Sequence, residues 1–139
     1  MIKTLSILLL AFVSMSASAA DMVMPIRGVA DGDTIKSTLK LPCPLCNVSV
    51  RILDIDTPES TYLARCAKEK ALGLEAKAFL TRLVEGKETM MARSIKWDKY
   101  GGRINAHVEI DGVNVGDLMI SKGFAKRYTG AGPKPDWCM

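Results

Sequence analysis

Val29-Ala30-Asp31-Gly32-Asp33-Thr34-Ile35-Lys36, VADGDTIK in one-letter code, sets an Asp-Gly pair between two apolar-bearing runs. Asp tolerates a left-handed backbone and Gly adopts one freely, so this pair signals a hairpin turn. Met22 to Val29 and Thr34 to Leu41 are therefore expected as strands joined at that turn. Asp31 and Asp33, two carboxylates one residue apart, are also what a hard cation attracts. The stretch reads both as a bend in a sheet and as half of a metal site.

Working outward, Asn47 to Asp56 begins as a third strand, with Val48, Val50 and Ile52 alternating against Asn47, Ser49 and Arg51. Thr57-Pro58 stops it, since Pro lacks the donor a central strand needs. Residues 67–85 carry Leu72, Ala76, Phe79, Leu80 and Leu83 at helical steps, with Lys68, Glu69, Glu75, Lys77 and Arg82 off the stripe and Gly86 suited to the cap. Glu88 to Trp97 is expected as a strand, Asp98 to Gly102 as a turn, and Ile104 to Ile110 as a half-buried strand. Asp111-Gly112 is another turn, Val115 to Lys122 a short helix, and Gly130 to Met139 irregular. Three strands before the first helix disfavour a doubly wound sheet. The order predicts a mainly β fold with helices (α+β), a five-stranded closed OB-fold barrel with two main helices.

Residues 1–20 read as a signal peptide. Lys3 precedes the apolar run Leu5–Val13, and Ala17-x-Ala19 closes a small-residue segment. Removing 20 of the 139 residues leaves 119, expected as one domain, 21–139, without stable membrane association and monomeric. Only Lys3 of the 19 Lys and Arg is lost, so 18 basic residues face 15 acids, a mild +3 that permits a polyanionic partner without requiring one. Cys43, Cys46, Cys66 and Cys138 all lie in the mature part. Four cysteines allow three connectivities. The closeness of Cys43 to Cys46 suggests one bridge and leaves Cys66 with Cys138, a long loop worth about 3–5 kcal/mol in the loop-entropy model. A redox role for Cys43-Pro-Leu-Cys46 would need a following helix, and Asn47 to Val50 reads as a strand.

Asp33, Arg51, Asp56, Glu59 and Arg103 are the polar interruptions at strand ends. Arg51 and Asp56 have opposite strand parity, so a bend is needed to aim both at one place. Taken singly, each acid is an ordinary turn former. His107, on the polar phase of its strand without a nearby Cys or His, reads as surface, and Met90-Met91 and Met119 as filler. Asp54 reads as structural, and Asp31 as a turn residue or a supporting partner.

Taken together, Asp31-Gly32-Asp33-Thr34, then Arg51 with Asp56-Thr57-Pro58-Glu59, then Asp98-Lys99-Tyr100-Gly101-Gly102-Arg103 resemble the three signature segments of the staphylococcal nuclease (thermonuclease) family, in its order, over residues 23–128. Cys66-x-x-Glu69-Lys70 and Asp136-Trp137-Cys138 look like markers of an exported, cysteine-containing branch. The turn before Arg103 has two glycines where the best-known member has one, and the chain ends before that member's long C-terminal helix. The resemblance implies an OB-fold hydrolase cutting DNA and RNA with low sequence selectivity and leaving 3′-phosphate ends. It implies Ca²⁺ held by the carboxylates of Asp33 and Asp56 and the carbonyl of Thr57. It further implies Glu59 on the attacking water, Arg51 and Arg103 on the phosphate, and Lys99, Tyr100 and Tyr128 on the nucleotide. The destination implied is periplasmic or secreted. A non-catalytic nucleic-acid-binding OB module is the alternative, since fold alone does not give function; such a module has no need of three acids and two arginines together.

Overall fold

Alternation of apolar and polar residues decides the sheet. The computed structural model describes residues 20–43 and 46–139; the expected signal peptide lies outside them, apart from Ala20. Nine strands and two helices follow in order: β1 (Ala20–Pro25), β2 (Gly28–Asp31), β3 (Thr34–Thr38), β4 (Asn47–Ile52), β5 (Ile55–Asp56), α1 (Ala67–Val84), β6 (Thr89–Trp97), β7 (Arg103–Ile110), β8 (Val113–Asn114), α2 (Val115–Ser121) and β9 (Lys126–Arg127). The chain is mainly β with two helices, an OB-like α+β arrangement.

The main sheet runs β1-β6-β7-β4-β3-β2, with β8 on β7, and β5 pairs separately with β9. All pairings are antiparallel except β4 with β7, which sets Ser49 opposite Arg103 and Arg51 opposite Asn105. The single strand expected over Met22–Val29 is two, because the chain turns a corner at Ile26–Arg27 before Gly28, whose φ is +137°. The five-stranded closed barrel is also corrected. Among the described residues no ladder joins the two ends of the sheet. The corner instead brings β1 beside β3 through the Ser37 hydroxyl, which donates to the Pro25 carbonyl at 2.7 Å, and the Arg27 amide, which donates to the Lys36 carbonyl at 2.8 Å.

Val48, Val50 and Ile52 of β4 and Ile104, Ala106, Val108 and Ile110 of β7 are buried, with polar residues between them more open. They meet Ala76, Leu80 and Val84 of α1 and Met119 after Val115 in α2. Phe79 of α1 stacks on Phe124 at 4.6 Å between ring centroids. The buried line of α1 is Glu69, Gly73, Ala76, Leu80 and Val84, so the expected stripe is rotated and Glu69 moves from the polar face inward. Its carboxylate accepts from the Arg65 amide at 2.7 Å and Nε at 3.1 Å, which makes a buried charge tolerable. Burial opposes but does not cancel these bonds, and Arg65 holds the Glu69 carboxyl below its usual range. Cys66 Sγ caps α1, accepting from the Glu69 amide, and Gly86 beyond its end has φ +71°.

Cys43 is bridged to Cys46 and Cys66 to Cys138. The second bridge ties the C-terminal tail to the start of α1. No helix of the described residues is long and apolar enough to cross a membrane.

Candidate active site

One turn and one loop carry the acids, and α1 packs beneath both at its smallest residues. A Cβ built on Gly32 would stand 3.0 Å from Ala76 Cβ and from Thr57 Oγ1. One built on Gly73 would stand 2.4 Å from the Glu59 carbonyl oxygen and 2.7 Å from that of Pro58. Close approach at these two glycines seats the Asp31–Thr34 turn and the Pro58–Glu59 loop on one helix.

Arg51 occupies the middle. Its terminal nitrogen lies 3.1 Å from Asp33 Oδ2, 4.0 Å from Asp56 Oδ1 and 3.4 Å from the Ile55 carbonyl. The parity problem is solved by a turn between β4 and β5, where Asp54 takes φ +63°, a left-handed value that Asp adopts more readily than most residues. The Tyr128 amide donates to the Asp54 carbonyl at 3.0 Å and holds the turn.

Asp33, Thr57, Arg51, Glu59, Lys99, Tyr100, Arg103 and Tyr128 line one cleft of about 750 Å³. Asp56 lies deeper, 2 % exposed, and faces an adjoining cleft of about 190 Å³ that shares Thr57 and Glu59 with the first. Arg103 forms the far wall, its Nε 2.7 Å from Asp98 Oδ2 and its guanidinium 4.8 Å above the Tyr100 ring. Among the described residues only its Nε makes a hydrogen bond, so the terminal nitrogens have no protein acceptor. Burial is the largest influence on the Asp98 carboxyl and raises it, but the bond and charge of Arg103, with the Tyr100 amide and the Asn105 side chain, together hold Asp98 below its usual range.

Burial pushes the Asp33 carboxyl up, against Arg51 and the Thr34 hydroxyl, which donates to Asp33 Oδ1 at 2.8 Å. The Glu59 carboxyl is raised by desolvation first and then by the charge of Asp31, with the ammonium of Lys134 opposing. A carboxylate raised towards neutrality in a cleft has the character of a general base.

Ser60, Lys134 and Trp137 escaped the sequence reading as site residues, whereas Asp31, expected as a turn residue or a supporting partner, is both. Asp31 Oδ1 accepts from the Ser60 hydroxyl at 2.7 Å and from the Gly32 amide, so it ties the acidic turn to the loop bearing Glu59. Lys134 Nζ lies 3.2 Å from Asp56 Oδ1 and 3.8 Å from Glu59 Oε1. The indole of Trp137 also reaches Asp56. Cys66 lies only seven residues beyond Glu59, and its pairing with Cys138 is the signal that could have brought the tail to this site. His107 is half-buried, its Nε2 3.6 Å from Asp54 Oδ2, outside the arginine–acid cluster.

Asp56 Oδ1 is buried without a hydrogen bond, since the approach of Lys134 has the distance but not the alignment. An orphaned carboxylate oxygen next to a second carboxylate suits a hard divalent cation. Among the described residues no three His, Cys, Asp and Glu side chains converge, so the acids form a pair rather than a cage. The fit is to a cation that takes its remaining ligands from backbone, water or substrate.

A family model described as staphylococcal nuclease homologue matches residues 49–136, which spans Arg51, Asp56, Thr57, Glu59 and Arg103 and starts after Asp33. No curated protein matches the chain.

Proposed function

The chain belongs to the staphylococcal nuclease homologue family, and from that premise we propose that it is an exported, Ca²⁺-dependent endonuclease hydrolysing DNA and RNA with low sequence selectivity. The observation that carries the reading is Arg51 held between Asp33 and Asp56 on the wall of a cleft that also bears Glu59 and Arg103. The working unit is residues 21–139, acting as a monomer free of the membrane. The two cystines support an oxidising compartment, periplasm or medium.

Asp33, Asp56 and the Thr57 carbonyl would hold Ca²⁺, which when bound supplies positive charge to the phosphate and its entering oxygen. Glu59 takes a proton from a water aligned with phosphorus. The water oxygen bonds to phosphorus as the bond to the 5′ oxygen breaks, and the departing oxygen takes a proton from solvent. A 3′-phosphate and a 5′-hydroxyl result. Arg51 and Arg103 grip the non-bridging oxygens from two sides, and their planar forks match phosphate geometry. Charge builds on those oxygens as the water attacks, so the preplaced guanidiniums favour the transition state over the ground state. Lys99, Tyr100 and Tyr128 hold the nucleotide, Tyr100 offering a ring on which any base can stack.

End-group analysis of a digested oligonucleotide tests the product. Fragments ending in 3′-phosphate are expected from both DNA and RNA. Fragments ending in 3′-hydroxyl contradict the scheme, and intact oligonucleotide bound without cleavage favours the non-catalytic module.

The acid limb of the rate profile should lie above the ordinary glutamate range, because Glu59 must be ionised to work and its carboxyl is raised. Lys134 opposes that rise, so Lys134→Met is expected to move the limb to higher pH. A limb that stays in place detaches Glu59 from the rate.

A further inference from the structure

The proposed reaction makes no use of Trp137, yet this indole is 6 % exposed and donates through Nε1 to Asp56 Oδ2 at 3.0 Å. The contact is built from several sides. Asp56 pairs across the β5–β9 ladder with Lys126, whose ammonium stands 4.3 Å over the Trp137 ring and donates to the Asp136 carbonyl at 2.8 Å. Arg65 donates to the Pro135 carbonyl at 3.1 Å. Cys138, next along, is bridged to Cys66 at the cap of α1. A residue serving only to fill space would need none of the indole N–H, whereas here that N–H takes one oxygen of a buried carboxylate and leaves the other, Oδ1, between Lys134 at 3.2 Å and Arg51 at 4.0 Å.

We propose that Trp137 is a positioning residue, its N–H fixing the Asp56 carboxylate so that Oδ1 is presented to the cation, with the Cys66–Cys138 bridge delivering the indole to its place. The inference rests on the reading of Asp56 as a cation ligand. Partners that orient ligands in this way typically change metal affinity about 10- to 100-fold when removed.

The test is Ca²⁺ titration by calorimetry of the oxidised protein and of Trp137→Phe, with Tm and cleavage measured alongside. Trp137→Phe keeps the ring and loses the donor. Its Ca²⁺ Kd is expected to rise about 10- to 100-fold, with cleavage largely recovered at saturating Ca²⁺. An unchanged Kd, whatever the Tm, overturns the proposal and assigns Trp137 to packing. A wild-type protein that binds no Ca²⁺ removes the cation reading of Asp56 and this proposal with it, a result distinguishable on the wild type alone.

A second variant guards against a fold lost with the indole. Cys66→Ser with Cys138→Ser, on a Trp97→Phe background, leaves Trp137 the only tryptophan and keeps a capping oxygen at position 66. Its emission is expected to shift to the red as the indole leaves its buried seat, with the same rise in Kd. A red shift with unchanged Kd contradicts the proposal.

Discussion

Arg51→Ala is expected to lower kcat/KM for single-stranded DNA by about 10³-fold, the scale seen when a preorganised donor or an arginine on a transferring phosphoryl group is removed. The change removes more than the proposed phosphate contact, because the same guanidinium pairs with Asp33 at 3.1 Å and stands 4.0 Å from Asp56, where Lys134 is nearer. Without it, the buried Asp33 carboxyl rises further and competes poorly for a cation. Arg51→Lys should recover little, since a single ammonium cannot reproduce the planar fork that the proposal sets on the phosphate while one of its nitrogens pairs with Asp33. His107→Ala, outside the cluster, is expected to cleave as the wild type does. Steady-state kinetics on folded samples decides the matter, and an Arg51→Ala protein of near wild-type activity would remove the phosphate clamp.

The second large effect is far less intuitive, because Gly73→Ala inserts the best helix former into a helix. Relative to glycine that substitution ordinarily gains about 1 kcal/mol. Here the new Cβ would fall 2.4 Å from the Glu59 carbonyl oxygen and 2.5 Å from its carbon, backbone atoms that no rotamer change can move aside. Overpacking of this kind costs about 1–3 kcal/mol, so the net expectation is a lower Tm. The helix also relieves the clash by pushing the loop that carries Glu59. Misplacement by an ångström far from the chemistry can cost about 10²-fold in rate, and cleavage is expected to fall on that scale. Gly101→Ala, whose Cβ meets nothing, is the control and should keep its Tm. Equal Tm and activity in Gly73→Ala would refute the close approach of α1 to this loop.

Much of this was legible in the sequence because its signals are local. VADGDTIK gives the turn between β2 and β3, and the alternation in Asn47–Ile52 and Ile104–Ile110 gives the central strands, because period two survives wherever one sheet face is buried. Three motifs in order placed Arg51, Glu59 and Arg103 together, and the cleft indeed collects them. The remainder depends on contacts between distant segments. The break of Met22–Val29 into β1 and β2 falls at Pro25 and Gly28, but an edge strand or a bulge carries the same residues, so they do not by themselves fix a corner. Glu69 looked like surface charge because its partners, the Arg65 backbone and side chain, precede the helix. Lys134 and Trp137 sit in an irregular tail whose Gly and Pro content marks no element, so their place beside Asp56 follows only once Cys138 is known to meet Cys66. The two readings of VADGDTIK also join here: Asp31 makes the turn and bonds Ser60, while Asp33 faces Arg51.

Cleavage of single-stranded DNA and of RNA by the oxidised protein, with Ca²⁺ or with excess chelator, tests the central claim most directly. Cleavage of both polymers in Ca²⁺, abolished by the chelator and restored by added Ca²⁺, is the expected result. A folded protein that leaves both polymers intact in Ca²⁺, or cuts them equally in chelator, contradicts it.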